Sequence, residues 1–407
     1  MTTLTYPQSL PTALPQTLGF DADRCRSIGA VLKREVDIGR LPGAVVLVAR
    51  KGQVLLHQAL GQQDPQAGKV MGLDAIFRIY SMTKPMVSVA VMQLMERGQL
   101  LLSDPVAKHL PEFANVPLAH FEGETMHLQP PRRAPTVQDL LCHTAGLTYE
   151  ITGSAPIQRM YAQAKLGSRA RSNREFARAL AEMPLMFEPG STWAYSRATD
   201  LLGALVEVVS GQTLGDYLQE HIISPLGMVD TGFSVPPDQQ HRIAEPFAHD
   251  PDGGTPMALI DIRQVPRMEA GGMGLASTAQ DYARFVQCLC NGGALLGQRI
   301  LSPASVRLMT ADHLGGIGQQ STERSGDMLG RGTGFGLGFS VRLSEGMETL
   351  PGAVGLYSWG GIAGTTFWVD PANDLFAIFM SQAPNQRDYF RPLFRNLVYA
   401  ALTGKAG

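Results

Sequence analysis

The chain of 407 residues has no surplus of charge of either sign: 34 Lys and Arg stand against 36 Asp and Glu, a formal charge of −2. Neutralising a phosphate backbone takes clustered Lys and Arg, and here such clusters are short, as at Arg132-Arg133 and residues 165–174. Nucleic acid is therefore not expected as a partner. Long hydrophobic runs are also missing. MVSVAVMQLM at 86–95 is among the longest, and it is too short to span a bilayer. No membrane partner is expected. The first twenty residues contain neither a basic region nor a sustained apolar one, and prolines interrupt them, so no export signal is read and a cytoplasmic location is expected. Cysteine is scarce: Cys25, Cys142, Cys288 and Cys290 show no C-x-x-C spacing, which fits reduced thiols. Cys288 and Cys290 would point about 200° apart on a helix, which makes a metal pair improbable. H-E-x-x-H, a Walker loop, G-x-G-x-x-G and the G-x-S-x-G nucleophile elbow are all absent. No metal or organic cofactor is expected.

What is present is a globular chain, 44% hydrophobic and 17% charged, large enough for one big core or two moderate ones. Its two ends resemble each other. A helical pattern over 22–39 precedes strands at 44–49 and 54–60, joined by Arg50-Lys51-Gly52. Near the other end, 336–343, 354–359, 365–369 and 375–381 read as strands, followed by a closing helix over 386–402. Between them the signals are mainly helical, at 136–142, 172–182, 198–210, 214–221, 278–290 and 302–310, and the glycine-rich stretch 315–338 reads as a surface loop. The fold class expected is α/β of the α+β type: one antiparallel sheet built from both chain ends and flanked by helices, with a mainly helical region inserted. The corresponding domains are 20–84 with 331–407, and 85–330.

Lysine occurs only at Lys33, Lys51, Lys69, Lys84, Lys108, Lys165 and Lys405, and only Lys84 has a serine three residues before it. Ser81-Met82-Thr83-Lys84 is an S-x-x-K at the mouth of an apolar run. Residues three apart share a helix face, so the lysine can reach the hydroxyl. The bland alternative is a serine that caps the helix and a lysine that snorkels to water. Two further features weigh against it. FEPGSTWAYSRATD presents Tyr195 from a loop just before a helix, and LYSWGGIAGTTFWVD ends a strand at Trp359-Gly360-Gly361, where glycines let a substrate carbonyl approach backbone N–H groups. His143, in LLCHTAGL, reads as a hydrogen-bonded structural residue.

S-x-x-K, a later Y-x-x and a final x-G-G in this order resemble the serine β-lactamase and penicillin-binding-protein superfamily, in its class C branch, and most closely the family VIII carboxylesterases. The similarity runs from PGAVVLVARKGQVLLHQALG through DLLCHTAGLTY and GGMGLASTAQDYARF to SWGGIAGTTFWVDP. It implies Ser81 as nucleophile and Lys84 with Tyr195 as the base pair, whichever of the two formally takes the proton. It also implies an oxyanion hole from the N–H groups of Ser81 and Ile362, and substrate binding by Trp359, Gly360, Gly361 and Arg197. Arg197 stands where lactamases have the asparagine of Y-x-N, and Trp359 where they have the lysine of K-T-G. Both departures suit a small, neutral ester, with β-lactam cleavage weak. An acyltransferase using the same acyl-serine, a divergent class C β-lactamase, a D-aminopeptidase-like enzyme and a non-catalytic binding protein are the alternatives.

Overall fold

Strand β1 (Gly43–Arg50) is buried at every position, which is possible only for a strand covered on both faces. The computed structural model describes residues 10–404 except 124, 316 and 318–327. In it, β1 pairs with β2 (Gln53–Asp64) on one side and with β8 (Leu375–Ser381) on the other, both antiparallel. Adding β3 (Lys69–Val70), β4 (Thr333–Phe335), β5 (Ser340–Arg342), β6 (Tyr357–Gly360) and β7 (Thr366–Asp370) gives an eight-stranded sheet in the order β4-β5-β6-β7-β8-β1-β2-β3. The first and last parts of the chain thus meet at β1 and β8, as their patterning suggests.

Alternation along these two strands divides the core. Ala44, Val46, Val48, Ala377 and Phe379 face helices α1 (Ala22–Asp37) and α5 (Arg387–Ala401), packing on Ile28, Leu32, Phe390 and Phe394. Val45, Leu47, Ile378 and Met380 face the other way, into a larger core. That core includes α2 (Thr83–Glu96), α3 (Ala198–Ser210) and α4 (Ala279–Cys290). Helix α2 is buried from Thr83 to Leu94, so its apolar run is explained by burial on all sides.

Three expectations change. The strand expected over 336–343 shortens to β5, because the chain bends before it where a side chain cannot fit: a Cβ at Gly336 would lie 2.1 Å from the Met309 carbonyl, and one at Gly338, at φ +100°, would lie 2.4 Å from Ser88 Oγ of α2. A hairpin at Leu118–Glu122 and Thr125–Gln129 was not expected, although Gly123 at φ +62° supplies its turn. Part of the expected surface loop 315–338 lies outside the described residues, and its end is not a surface loop: Thr333–Phe335 forms β4, and residues 334–338 are buried because Phe335 and Leu337 join the larger core. No described helix is long and apolar enough to cross a membrane.

Arg50, 1% exposed, closes the sheet side of the molecule by donating to the carbonyls of Leu18 (2.8 Å), Asn373 (2.9 Å) and Gly404 (2.9 Å). Arg50→Met should lower stability by about 3 kcal/mol, because several carbonyls lose a charged donor at once. Urea denaturation reads this directly, and an unchanged midpoint would show that the three bonds contribute nothing net.

Candidate active site

The serine enters the site through an unusual backbone. Tyr80 has φ +44°, a conformation that costs a non-glycine residue energy and persists only where the surroundings hold it. Its hydroxyl accepts the Ile260 N–H at 2.8 Å, which fixes the ring. Ser81 follows in a single 3-10 turn (Tyr80–Met82) that runs directly into α2. No side chain caps this helix, so the role of Ser81 as a simple N-cap is ruled out. Lys84 does not snorkel either: it is 1% exposed.

A buried ammonium needs its donors occupied. Lys84 Nζ donates to the Gly272 carbonyl at 2.7 Å, to Tyr149 Oη at 3.1 Å and to Ser81 Oγ at 3.2 Å, and lies 4.5 Å from the centre of the Tyr195 ring. Tyr195 Oη is 2.6 Å from Ser81 Oγ. The indole N–H of Trp359 donates to the same phenol oxygen at 3.2 Å. One hydroxyl thus touches both potential bases, and one of those bases receives a neutral donor from the residue that replaces a lysine in lactamases.

Tyr149 is a site residue that sequence reasoning missed, although it closes the quoted run DLLCHTAGLTY. Burial, with Asp200 and Tyr195 adding to it, holds its phenol well above the usual range, so it stays protonated. His143 is 1% exposed, with Nδ1 3.0 Å from Ser196 Oγ and its ring 5.0 Å from that of Tyr195. Burial, and secondarily the charge of Lys84, keeps its imidazole well below the ordinary value. It is therefore neutral.

Arg197 is not the substrate-facing cation the sequence suggests. It is 5% exposed, its guanidinium donates to Glu150 and, at 3.3 Å, to Asp200, and it lies 4.8 Å from the centre of the Tyr149 ring. Burial opposes its charge, but Asp200, Tyr149 and Glu150 outweigh that and raise its proton affinity. Asp200 in turn accepts the Gly272 N–H at 2.8 Å. A chain of contacts therefore runs from Glu150 through Arg197 and Asp200 to the peptide unit flanking Gly272, whose carbonyl holds Lys84.

Gly361 immediately follows β6, its N–H donated to the Thr365 carbonyl at 2.8 Å. A Cβ at Gly361 would lie 2.3 Å from the Ile79 carbonyl, so only glycine lets this turn reach the chain leading into Ser81. The next amide, Ile362, has no acceptor among the described residues. Trp359 and Phe335 meet edge to face at 5.3 Å and form an apolar wall beside Tyr195. Among the described residues no three His, Cys, Asp or Glu side chains gather where they could hold a metal ion. A cavity of about 390 Å³ lined by Gly52, Gln287, Asn291 and Asp374 contains none of Ser81, Lys84 and Tyr195, so hydrogen-bond geometry rather than concavity locates the site.

Known proteins resemble this chain in sequence and fold. The Beta-lactamase family profile covers residues 28–401. The chain belongs to that family. It is 37% identical to an uncharacterised protein of Mycobacterium tuberculosis over 87% of this chain and 88% of the other. It is 32% identical to esterase EstB of Burkholderia gladioli over 90% and 93%. In structure it is similar to EstCE1, described as a hydrolase with promiscuous acyltransferase activity, with a TM-score of 0.79 and 27% identity, covering 96% of this chain and 99% of that one. The fold is thus that of the β-lactamase-like serine hydrolases, with esterase and acyltransferase-active relatives.

Two outcomes follow from this geometry. Arg197→Met should lower stability by about 3 kcal/mol, since it leaves Asp200 buried without its cation; a raised KM at unchanged stability would instead restore a substrate-binding role. His143 is neutral in the fold and takes up a proton on unfolding, so its contribution is complete above about pH 6.5 and is lost as pH falls below that toward its lowered folded value. The fall of Tm below about pH 6.5 should be shallower in His143→Gln than in the wild type, and identical slopes would contradict this.

Proposed function

We propose that the protein is a carboxylesterase acting through an acyl-serine on small, uncharged esters. The observation that carries this reading is the contact of Ser81 Oγ with both Tyr195 Oη, at 2.6 Å, and Lys84 Nζ, at 3.2 Å. A serine hydroxyl attacks poorly until a neighbour takes its proton, and no histidine reaches this one. Ser81 Oγ attacks the ester carbonyl while its proton passes to the Lys84–Tyr195 pair, which begins with one proton fewer than an ammonium and a phenol together. The carbonyl oxygen, now an oxyanion, is held by the N–H groups of Ser81 and Ile362. The tetrahedral adduct collapses, the ester C–O bond breaks, and the departing alkoxide takes the proton from Tyr195. Water then repeats the sequence on the acyl-serine, giving its proton to the same pair and releasing acid and free Ser81.

The substrate class is argued from the wall. Where a β-lactam carboxylate would need a cation, Trp359 offers an indole face and has its N–H turned to Tyr195. Losing a charge-assisted bond of about 1.5 to 3 kcal/mol disfavours anionic substrates by roughly one to two decades. Cephalosporin cleavage should therefore be weak beside hydrolysis of a short p-nitrophenyl ester. The likeness to EstB supports the esterase reading, and the promiscuous acyltransferase activity of EstCE1 supports a second one, transfer of the acyl group to an alcohol.

Ser81→Ala should abolish p-nitrophenyl acetate hydrolysis with the fold intact, and Lys84→Ala and Tyr195→Phe should each slow it by at least about 10². Turnover retained by Ser81→Ala would remove the assignment. Adding a primary alcohol in excess and measuring ester against acid formed separates the two readings: acid as the main product keeps the esterase, and ester as the main product makes the protein an acyltransferase.

A further inference from the structure

Arg391 is a cation whose position the proposed chemistry does not yet use. It lies in the first turn and a half of α5, where it reaches across to the turn after β6. Its Nη2 donates to the Gly361 carbonyl and, at 3.1 Å, to the Thr365 carbonyl. Among the described residues no carboxylate forms an ion pair with it, and its buried Nε has no partner. Burial lowers its proton affinity to about 10, with Arg387 adding to that, so it remains charged at neutral pH.

A half-buried guanidinium spent on two carbonyls, with no counter-ion, is costly unless the arrangement serves something. The sequence makes room for it. A Cβ at Gly360 would lie 2.8 Å from the Arg391 Cζ, so the first glycine of Trp359-Gly360-Gly361 admits the guanidinium. The second admits the Ile79 carbonyl. Each glycine of the pair therefore answers a different neighbour.

We infer that Arg391 is a positioning residue for acyl transfer, which orients and polarises the Gly361–Ile362 peptide so that its N–H meets the developing oxyanion. This rests on the oxyanion hole proposed above. The Gly361 carbonyl and the Ile362 N–H are two ends of one conjugated, planar group. A charged donor on the oxygen withdraws electron density from the nitrogen and strengthens the N–H as a donor, as chains of hydrogen bonds do generally. It also fixes the plane of the peptide, and the Thr365 carbonyl is pinned from two sides, by Arg391 and by the Gly361 N–H at 2.8 Å. The benefit appears where charge develops on the substrate oxygen, and so in kcat rather than in ground-state binding.

The test compares wild type, Arg391→Met, Arg391→Lys and Gly360→Ala in the full chain, with p-nitrophenyl acetate as substrate and an uncharged arylboronic acid as the tetrahedral mimic. Loss of a whole oxyanion donor costs about 10² to 10³, so weakening one should lower kcat by roughly 10- to 30-fold in Arg391→Met. KM should stay within about twofold, and boronate affinity should fall in step with kcat/KM. Arg391→Lys, which keeps a charged donor, should recover most of the loss. Gly360→Ala, whose methyl displaces the guanidinium, should reproduce it even if Arg391→Met does not fold. The inference is overturned by unchanged kcat in folded Arg391→Met or in Gly360→Ala. It is overturned equally by a KM rise at constant kcat, which would make Arg391 a ground-state substrate contact, or by kcat falling with boronate affinity intact. Failure of the underlying esterase reading looks different: wild type and Ser81→Ala would then be equally inactive on the ester, and the inference would fall with it.

Discussion

Everything in the site depends on one buried ammonium having somewhere to put its protons. Lys84 is 1% exposed, and an uncompensated charge there would cost several kcal/mol. Its three bonds answer that cost unequally. The shortest, 2.7 Å, goes to the Gly272 carbonyl, and the longest, 3.2 Å, to Ser81. The fixed acceptor is thus protein backbone, while the serine is the partner that can be given up in the attack we propose for its oxygen. Tyr149 supplies a third acceptor and, held protonated by burial, does not compete for the serine proton.

The fold keeps that carbonyl in place from behind. Gly272 must be glycine because a Cβ would lie 2.9 Å from the Asp200 carboxylate oxygens, and Asp200, fully buried on α3, is held by Arg197. Arg197 in turn is bound by Glu150, the neighbour of Tyr149 in the chain. The two acceptors of Lys84 other than Ser81 are therefore tied to one ionic cluster. On the sheet side, the turn after β6 abuts Ile79, two residues before the serine, so that the strand contributed by the C-terminal part of the chain completes a site begun by the N-terminal part. Closing the sheet between β1 and β8 is what allows this meeting.

Much of this is legible in the residues. Helices with an apolar face carry their own periodicity, and strands buried on both faces read as short apolar runs bounded by turn residues, which is why α1, α3, α5, β1 and β8 fall close to where the pattern puts them. The S-x-x-K spacing works because it is local: three residues on a helix fix a distance. What escapes depends on long-range contacts. A carbonyl such as that of Gly272 leaves no signature in its own residue type, and Tyr149 looks like any core tyrosine until Lys84 arrives from 65 positions away. Arg197 misleads for the same reason: a cation two residues from Tyr195 in sequence need not face the same space, and Glu150 and Asp200 decide which way it turns. The shortening of the strand expected at 336–343 reflects close approach to Met309 and Ser88, which no period-two pattern encodes.

The central claim is that Lys84 and Tyr195 serve Ser81 as one unit, since each touches the hydroxyl and the ammonium lies 4.5 Å from the centre of the phenol ring. The most direct measurement is a double-mutant cycle on the rate at which a fluorophosphonate labels Ser81, followed by mass analysis of the Ser81 peptide in wild type, Lys84→Ala, Tyr195→Phe and the double variant. A single unit predicts that the double variant labels about as slowly as the slower single one. Rate losses that multiply across the two substitutions, or label found on another residue, would contradict it.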